Sequence, residues 1–263
     1  MVMRIFDPEV LLKNFDQLGF SADDLRRWQD MTRQPNGIIL VTGPTGSGKT
    51  TTLYTTLKKL ATPEVNLCTI EDPIEMVEPA FNQMQVQHNI DLNFASGIRA
   101  LMRQDPDIIM IGEIRDRETA LVAVQAALTG HLVLSTLHTN DACGAITRLQ
   151  ELGVADYLIK ATLIGVMAQR LIRTLCGDCQ GCASAASGQP CRTCRGTGFH
   201  GRTGLFELLI PSESLRAQIG PHTDLAQLRR QALTEGLLDL RRCGEAKVAR
   251  GLTRTEEVLR ACS

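Results

Sequence analysis

Residues 37–54, GIILVTGPTGSGKTTTLY, join an apolar run, a glycine-rich turn and a helix-like segment. The turn fits the template G-x-x-x-x-G-K-[ST], whose glycines let the backbone curl so that its N–H groups face a polyphosphate. Lys49 would bring a charge to the β- and γ-phosphates, and the Thr50 hydroxyl would be a ligand of Mg²⁺. The stretch therefore predicts a nucleoside triphosphate site made by nine residues: Gly43, Pro44, Thr45, Gly46, Ser47, Gly48, Lys49, Thr50 and Thr51.

Acidic residues follow two further apolar runs. The run at residues 65–70 leads into Glu71, Asp72 and Glu75, and the run at residues 108–111 leads into Glu113. In open α/β sheets, ligands bind beyond the carboxyl ends of the strands. A carboxylate there can bind Mg²⁺, directly or through water, or polarise the attacking water. A solvated acidic turn is the alternative for the first cluster, and the nearby phosphate motif favours the functional interpretation.

Two histidines flank the apolar run HLVLST, His131 before it and His138 near its end. A histidine in an apolar setting is more often a hydrogen-bonded core group than a site residue. Because both lie beside threonine or asparagine, we predict instead that they sense nucleotide, through hydrogen bonds to the γ-phosphate or to a neighbouring subunit. With strands near residues 38, 66, 108 and 132, the alternation of strands and helices predicts a mostly parallel α/β sheet.

Five of the nine cysteines crowd into residues 176–194. Two C-x-x-C pairs at this spacing can form a tetrahedral thiolate site for Zn²⁺, which predicts a structural metal site. The first choice of ligands is Cys176, Cys179, Cys191 and Cys194, and the alternative replaces the first pair by Cys179 and Cys182. An iron–sulfur cluster and free reactive thiols remain further alternatives.

The charge of the chain is nearly balanced, with 28 Lys and Arg against 29 Asp and Glu among 263 residues. This balance gives no support for a nucleic-acid partner, which would favour a basic excess. No apolar run reaches the length of about 20 residues that spans a bilayer, and no signal peptide is evident. We therefore expect a cytoplasmic protein.

Four regions are expected along the chain. Residues 1–30, which begin with a strand-like MVMRIFD, are interpreted as the remnant of a preceding domain, and residues 31–170 as a RecA-like P-loop NTPase core. Residues 171–204 would form a small tetracysteine metal-binding insertion, and residues 205–263 a helical C-terminal subdomain. The fold class is α/β.

Four motifs together resemble the secretion ATPase superfamily, specifically the assembly ATPases of type II secretion and type IV pili. In order along the chain, they look like its Walker A motif, aspartate box, Walker B motif and histidine box. The cysteine segment followed by GRTGLFELL resembles the insertion that marks the assembly branch. The motifs are GPTGSGKTT (43–51), TIEDPIE (69–75), DPDIIMIGEIRDRETA (105–120) and TGHLVLSTLHTNDA (129–142).

This resemblance implies ATP hydrolysis, with Glu75 polarising the attacking water and Glu113 as the Mg²⁺-linked acid. His131 and His138 would sense the γ-phosphate and the neighbouring subunit. The family forms hexamers whose motion drives a platform protein of the inner membrane. The chain departs from the family in lacking the N-terminal domains, in the short loop between its C-x-x-C pairs, and in LRRCGEAKV (240–248) where an Asp-Gly pair is usual.

Two other functions are considered. A DNA-translocating or conjugation ATPase shares the P-loop core, although the balanced charge and the pilus-type boxes speak against it. The second is a nucleotide-binding oligomerisation module with little turnover of its own, which the missing N-terminal region favours.

Overall fold

A seven-stranded sheet organises the part of the chain that the computed structural model describes, residues 13–184 and 188–262. The strand order is β3-β2-β4-β5-β1-β6-β7, and every pair is parallel except the antiparallel pair of β6 and β7. The predicted mostly parallel α/β sheet is therefore confirmed. The strands are β1 (Gly37–Thr42), β2 (Leu67–Glu71), β3 (Asn82–Gln85), β4 (Ile108–Ile111), β5 (Leu132–Leu137), β6 (Leu163–Leu175) and β7 (Phe199–Leu209).

Helices cover both faces of this sheet. Alternate side chains of β1 enter two different cores: Ile38 and Leu40 join one, while Ile39 and Val41 join the other. Burial on both faces explains why the central strands are continuous apolar runs. The helices are α1 (Phe15–Leu18), α2 (Ala22–Thr32), α3 (Lys49–Leu60), α4 (Phe94–Leu101), α5 (Arg117–Leu128), α6 (Gly144–Glu151), α7 (Asp156–Thr162), α8 (Glu213–Gln218), α9 (Leu225–Thr234), α10 (Leu240–Ala249) and α11 (Thr255–Cys262).

The expected region boundaries cross two of the strands. The boundary at residues 170/171 falls inside β6, and the boundary at residues 204/205 falls inside β7. Because β6 and β7 pair along most of their length, the sheet extends without interruption to the cysteine segment. The strand expected at residues 1–7 lies outside the described residues. In the described part of the chain, no helix is long and apolar enough to cross a membrane.

Helices α8 to α11 follow β7, in agreement with the helical periodicity of the C-terminal region. The segment LRRCGEAKV forms most of α10, where Gly244 faces α11. A Cβ atom on Gly244 would lie 2.3 Å from Cγ1 of Val258, so the two helices approach more closely than a larger residue would permit. Close packing of α10 against α11 therefore requires glycine at position 244.

A buried carboxylate attaches α11 to β6 just before the cysteine segment. Glu257 is 3% exposed and accepts hydrogen bonds from Arg173 Nε at 2.8 Å and Arg260 Nη2 at 2.7 Å. The hydrogen bonds from Arg173 lower the pKa of Glu257 to about 2, against the opposing effect of burial. The ionised carboxylate therefore stabilises the folded chain.

Glu257→Gln is expected to lower the free energy of unfolding at pH 7 by about 2 kcal/mol. The whole pKa shift corresponds to about 3 kcal/mol, and solvent screening at the Arg173 side chain, which is 44% exposed, reduces this. Because folding lowers the pKa, the stabilisation is complete above the ordinary value of 4.5 and disappears as the pH falls toward about 2.

Urea unfolding of wild type and variant between pH 7 and pH 3 measures this difference. The neighbouring Glu256→Gln is the matched control, because Glu256 is exposed on the same helix. A difference between wild type and Glu257→Gln that stays constant over this pH range would contradict the assignment.

Candidate active site

A cavity of about 730 Å³ opens at the carboxyl ends of the parallel strands. The P-loop, residues 43–48, joins β1 to α3 at one side of this cavity. Residues 45–51 line it, together with Glu75, Glu113 and His138. The structure thus brings three of the four predicted catalytic residues to the predicted phosphate loop, with Gly43 and Pro44 immediately before the lining residues.

The conformation of the P-loop requires glycine at its two ends. Gly43 has φ 144° and Gly48 has φ 89°, both in the region that side chains disfavour. A Cβ atom on Gly43 would also lie 2.4 Å from a backbone oxygen of β6. The loop therefore folds back directly onto β6, and α3 begins at Lys49 with its N-terminal end facing the cavity.

Lys49 is buried against the loop that precedes it. Its Nζ donates to the carbonyl oxygens of Gly43 at 2.7 Å and Pro44 at 3.1 Å. Burial lowers the pKa of Lys49 to about 8, while the nearby Glu113 carboxylate opposes this effect. A bound polyphosphate would hold the amine in its charged form.

A buried hydroxyl in the same loop indicates that the loop could bind a phosphate group. Ser47 is 3% exposed, and its Oγ has no hydrogen-bond partner among the described residues. Such an orphaned donor beside a buried lysine and a helix N-terminus suits phosphate oxygens. Thr50 and Glu113 line the same cavity and provide the oxygen ligands that Mg²⁺ prefers. The residues present therefore fit a nucleoside triphosphate with Mg²⁺.

Glu113 lies between two cationic or hydrogen-bonding groups. Its Oε1 is 2.5 Å from Arg115 Nη2, and its Oε2 is 3.5 Å from His138 Nε2. Burial and the charge of Lys49 lower the pKa of His138, although Glu113 raises it. The lowered pKa favours the neutral imidazole of His138.

The loop that carries Glu75 is held by a polar network on the neighbouring elements. Tyr54 Oη donates to Glu71 Oε2 at 2.7 Å, and Thr69 Oγ1 donates to Glu71 Oε1 at 2.7 Å. Gln83 Nε2 donates to the carbonyl oxygen of Met76 at 2.9 Å. Burial, and secondly the bond to Glu71, raise the pKa of Tyr54. Glu71 is thus a buried acid held by this network, and both Glu71 and Glu75 line the cavity.

His131 does not join the other predicted residues. It precedes β5, and its Nδ1 lies 2.8 Å from the carbonyl oxygen of Ala126 and 3.2 Å from Thr129 Oγ1. At about 3.3 Å per residue, β5 separates His131 from His138 by about 23 Å. His131 thus lies at the other end of β5 from the cavity, and its hydrogen bond to a γ-phosphate stays a prediction. A contact with a neighbouring subunit stays a prediction.

The cavity is also lined by residues that the sequence motifs did not predict. Thr136 faces the cavity from β5 and donates to the carbonyl oxygen of Gly112 at 2.7 Å, and Arg202 reaches it from β7. Arg115 follows Glu113 by two residues, so its place beside the acid was open to inference. No sequence motif near Arg202 indicates that it lines the cavity, because only the pairing of β7 with β6 brings it near the P-loop.

Four cysteines form a compact cluster at the far end of β6 and β7. The Sγ atoms of Cys176, Cys179, Cys191 and Cys194 all lie within 4.8 Å of one another. Two of the separations are 3.9 Å and 3.7 Å, close to the roughly 3.8 Å edge of a tetrahedron with Zn–S bonds of about 2.3 Å. Each of the four is at most 7% exposed, whereas Cys182 is exposed and outside the cluster. The donor set therefore fits a thiolate-bound metal.

A glycine-rich phosphate loop followed by a helix, with acids after the neighbouring strands, defines a P-loop nucleotide-binding protein. The family model described as "Type II/IV secretion system protein" matches residues 1–260, and the chain belongs to this family.

Curated relatives of this chain are named secretion and pilus ATPases. The chain is 54% identical over 280 residues to the type IV pilus assembly ATPase TfpB of Acinetobacter baylyi, covering 99% of this chain and 48% of the relative. It is 44% identical over 279 residues to the type II secretion system ATPase E of Vibrio cholerae, covering 99% and 55%. The chain thus spans about half the length of the curated relatives it matches.

Solved structures with the same fold include a pilus retraction motor and an ATPase. The pilus retraction motor PilT with bound ADP has a TM-score of 0.74 at 30% identity, covering 94% of this chain and 66% of PilT. The ATPase DotB of Legionella pneumophila has a TM-score of 0.73 at 25% identity, covering 94% and 64%. These similarities confirm the predicted P-loop ATPase fold.

Proposed function

We propose that this chain is the ATP-hydrolysing part of a motor for type II protein secretion or type IV pilus assembly. The observation that carries the proposal is the convergence of Glu75, Glu113 and His138 on one cavity with Lys49. The printed names of the relatives, a pilus assembly ATPase and a type II secretion ATPase, support the same cellular task.

In the proposed reaction, the P-loop N–H groups and Lys49 bind the β- and γ-phosphates. Thr50 and Glu113 would hold Mg²⁺, which would supply charge neutralisation at the phosphate oxygens. Glu75 accepts a proton from water as its oxygen attacks the γ-phosphorus in line, and the bond to the β–γ bridging oxygen breaks to give ADP and phosphate. His138 donates a hydrogen bond to the γ-phosphate. Positioning and electrostatics supply most of the rate enhancement.

The wider assembly is proposed on the resemblance to the secretion ATPase family. We expect a homohexamer in the full-length protein, acting at the cytoplasmic face of the inner membrane on a platform protein of the secretion or pilus machine. The four clustered cysteines would hold Zn²⁺ in a structural site that stabilises the ends of β6 and β7. We expect no direct nucleic-acid partner.

ATP binding and hydrolysis by the chain, measured separately, test this function. Lys49→Ala is expected to weaken ATP binding at least about tenfold, because it removes the charge that faces the phosphates. Glu113→Gln is expected to keep ATP binding and to lower hydrolysis by about 10²- to 10³-fold. Lys59→Ala is the matched control, since Lys59 is an exposed lysine on the same helix.

Equal hydrolysis by wild type, Lys49→Ala and Glu113→Gln would contradict the assigned site. Tight ATP binding with negligible wild-type turnover would instead favour a nucleotide-binding oligomerisation module.

A further inference from the structure

A buried glutamine side chain forms hydrogen bonds on both sides of the junction between the P-loop and α3. Gln169, on β6, is 2% exposed. Its Nε2 donates to the carbonyl oxygen of Ser47 at 2.9 Å, and its Oε1 accepts from Thr52 Oγ1 at 2.9 Å. Ser47 lies in the P-loop and Thr52 in the first turn of α3. The Gln169 side chain therefore bridges the P-loop and the start of α3 from the side of β6.

The same residue packs directly against both glycine ends of the loop. A Cβ atom on Gly48 would lie 2.8 Å from Gln169 Nε2, and one on Gly43 would lie 2.4 Å from the Gln169 carbonyl oxygen. The loop thus rests on Gln169 with no intervening space. The requirement for glycine at position 48 comes from this contact as well as from its φ of 89°.

The bond to Ser47 has a directional consequence. In a planar trans peptide, the carbonyl of one residue and the N–H of the next point in opposite directions. Because Gln169 holds the Ser47 carbonyl against β6, the N–H of Gly48 points away from β6. Gly48 lines the cavity, so this N–H faces the space that a polyphosphate would fill.

At position 169, a glutamine amide can form both hydrogen bonds, whereas other side chains of similar size cannot. It must donate to a carbonyl and accept from a hydroxyl, and it must do so without charge in a buried position. Glutamate would set a carboxylate against the Ser47 carbonyl, and methionine would make neither bond.

We propose that Gln169 is a positioning residue that fixes the Gly48 N–H toward the phosphates of a bound nucleotide. It acts through the Ser47–Gly48 peptide and does not touch the nucleotide. The proposal rests on the proposed function, because it presupposes that the P-loop binds ATP.

Affinity for a fluorescent ATP analogue with Mg²⁺, compared with the melting temperature without nucleotide, tests this role. Gln169→Met is expected to weaken binding about 10- to 100-fold, the loss of one charge-assisted hydrogen bond. Thr56→Val is the matched control. Thr56 is 1% exposed on the same helix, accepts from Trp28 Nε1 at 3.0 Å and makes no bond to the P-loop. It is expected to lower the melting temperature similarly and to change the affinity less than about twofold.

A second pair of variants gives a milder test if Gln169→Met does not fold. Thr52→Val removes the hydroxyl that donates to Gln169, and Thr52→Ser keeps it. Weaker binding by Thr52→Val with wild-type binding by Thr52→Ser supports the role, and equal affinities of the two overturn it.

Two further outcomes are decisive. Wild-type affinity of Gln169→Met, or a loss that Thr56→Val reproduces, overturns the positioning role. If Lys49→Ala abolishes binding in the same assay, the proposed function stands without it. If Lys49→Ala also binds as wild type does, the P-loop assignment itself fails.

Discussion

Glu75→Gln is expected to lower the rate of ATP hydrolysis by about 10²- to 10⁴-fold while changing ATP affinity by less than about threefold. The substitution removes the proposed proton acceptor but leaves Lys49 and the P-loop, which supply the binding. Glutamine keeps the size of the side chain, so the loop that carries residue 75 retains its packing. Single-turnover hydrolysis of radiolabelled ATP, with binding measured separately, distinguishes the two effects.

The matched control is Glu78→Gln in the same loop. Glu78 pairs with Lys58 at 2.7 Å and is not among the residues that line the cavity. Its substitution is expected to leave hydrolysis within about twofold of wild type, because neither Glu78 nor Lys58 lines the cavity. Wild-type turnover by Glu75→Gln would assign the proton acceptor to another residue and contradict the proposal.

Cys176→Ser is expected to abolish metal binding and to lower the melting temperature by roughly 10 °C, which corresponds to a loss of several kcal/mol in a chain of this size. Cys176 lies at the end of β6 with its Sγ 3.9 Å from that of Cys191. With few large apolar side chains in the segment, the metal would supply most of its folding energy. Inductively coupled plasma analysis gives the identity and stoichiometry of the metal.

The control for this substitution is Cys182→Ser. Cys182 is exposed and lies outside the four-cysteine cluster, so the variant is expected to keep one metal per chain and the wild-type melting temperature. Loss of metal from Cys182→Ser but not from Cys176→Ser would reverse the ligand assignment. A folded wild-type chain without metal would contradict the zinc site.

The central strands and the P-loop could be predicted because their signals are local. β1, β2, β4 and β5 are buried on both faces and are therefore mostly apolar, and the phosphate motif needs only eight consecutive positions. The acids follow because the carboxyl ends of parallel strands meet at one edge of the sheet.

The remaining features depend on contacts between distant residues. β6 and β7 each combine a buried, mostly apolar part with a partly exposed, polar part, so neither strand is apolar along its whole length. Gln169 lies 122 residues from Ser47, and no pattern near either one indicates the bond between them. Glu71 and Glu75 belong to the same acidic cluster in the sequence. Both line the cavity, and only the structure shows that Glu71 accepts a hydrogen bond from the buried Tyr54.

β6 has a mechanical consequence for the whole molecule. Seven residues separate Gln169, beneath the P-loop, from Cys176 in the cysteine cluster, a span of about 23 Å in extended chain. The antiparallel partner β7 supports the strand along this span, with one change of register between Arg173 and Leu175. We therefore expect a load applied to the cysteine cluster to be transmitted along these two paired strands to the P-loop. Force on the cysteine cluster and nucleotide affinity at the P-loop are therefore expected to be coupled through β6 and β7.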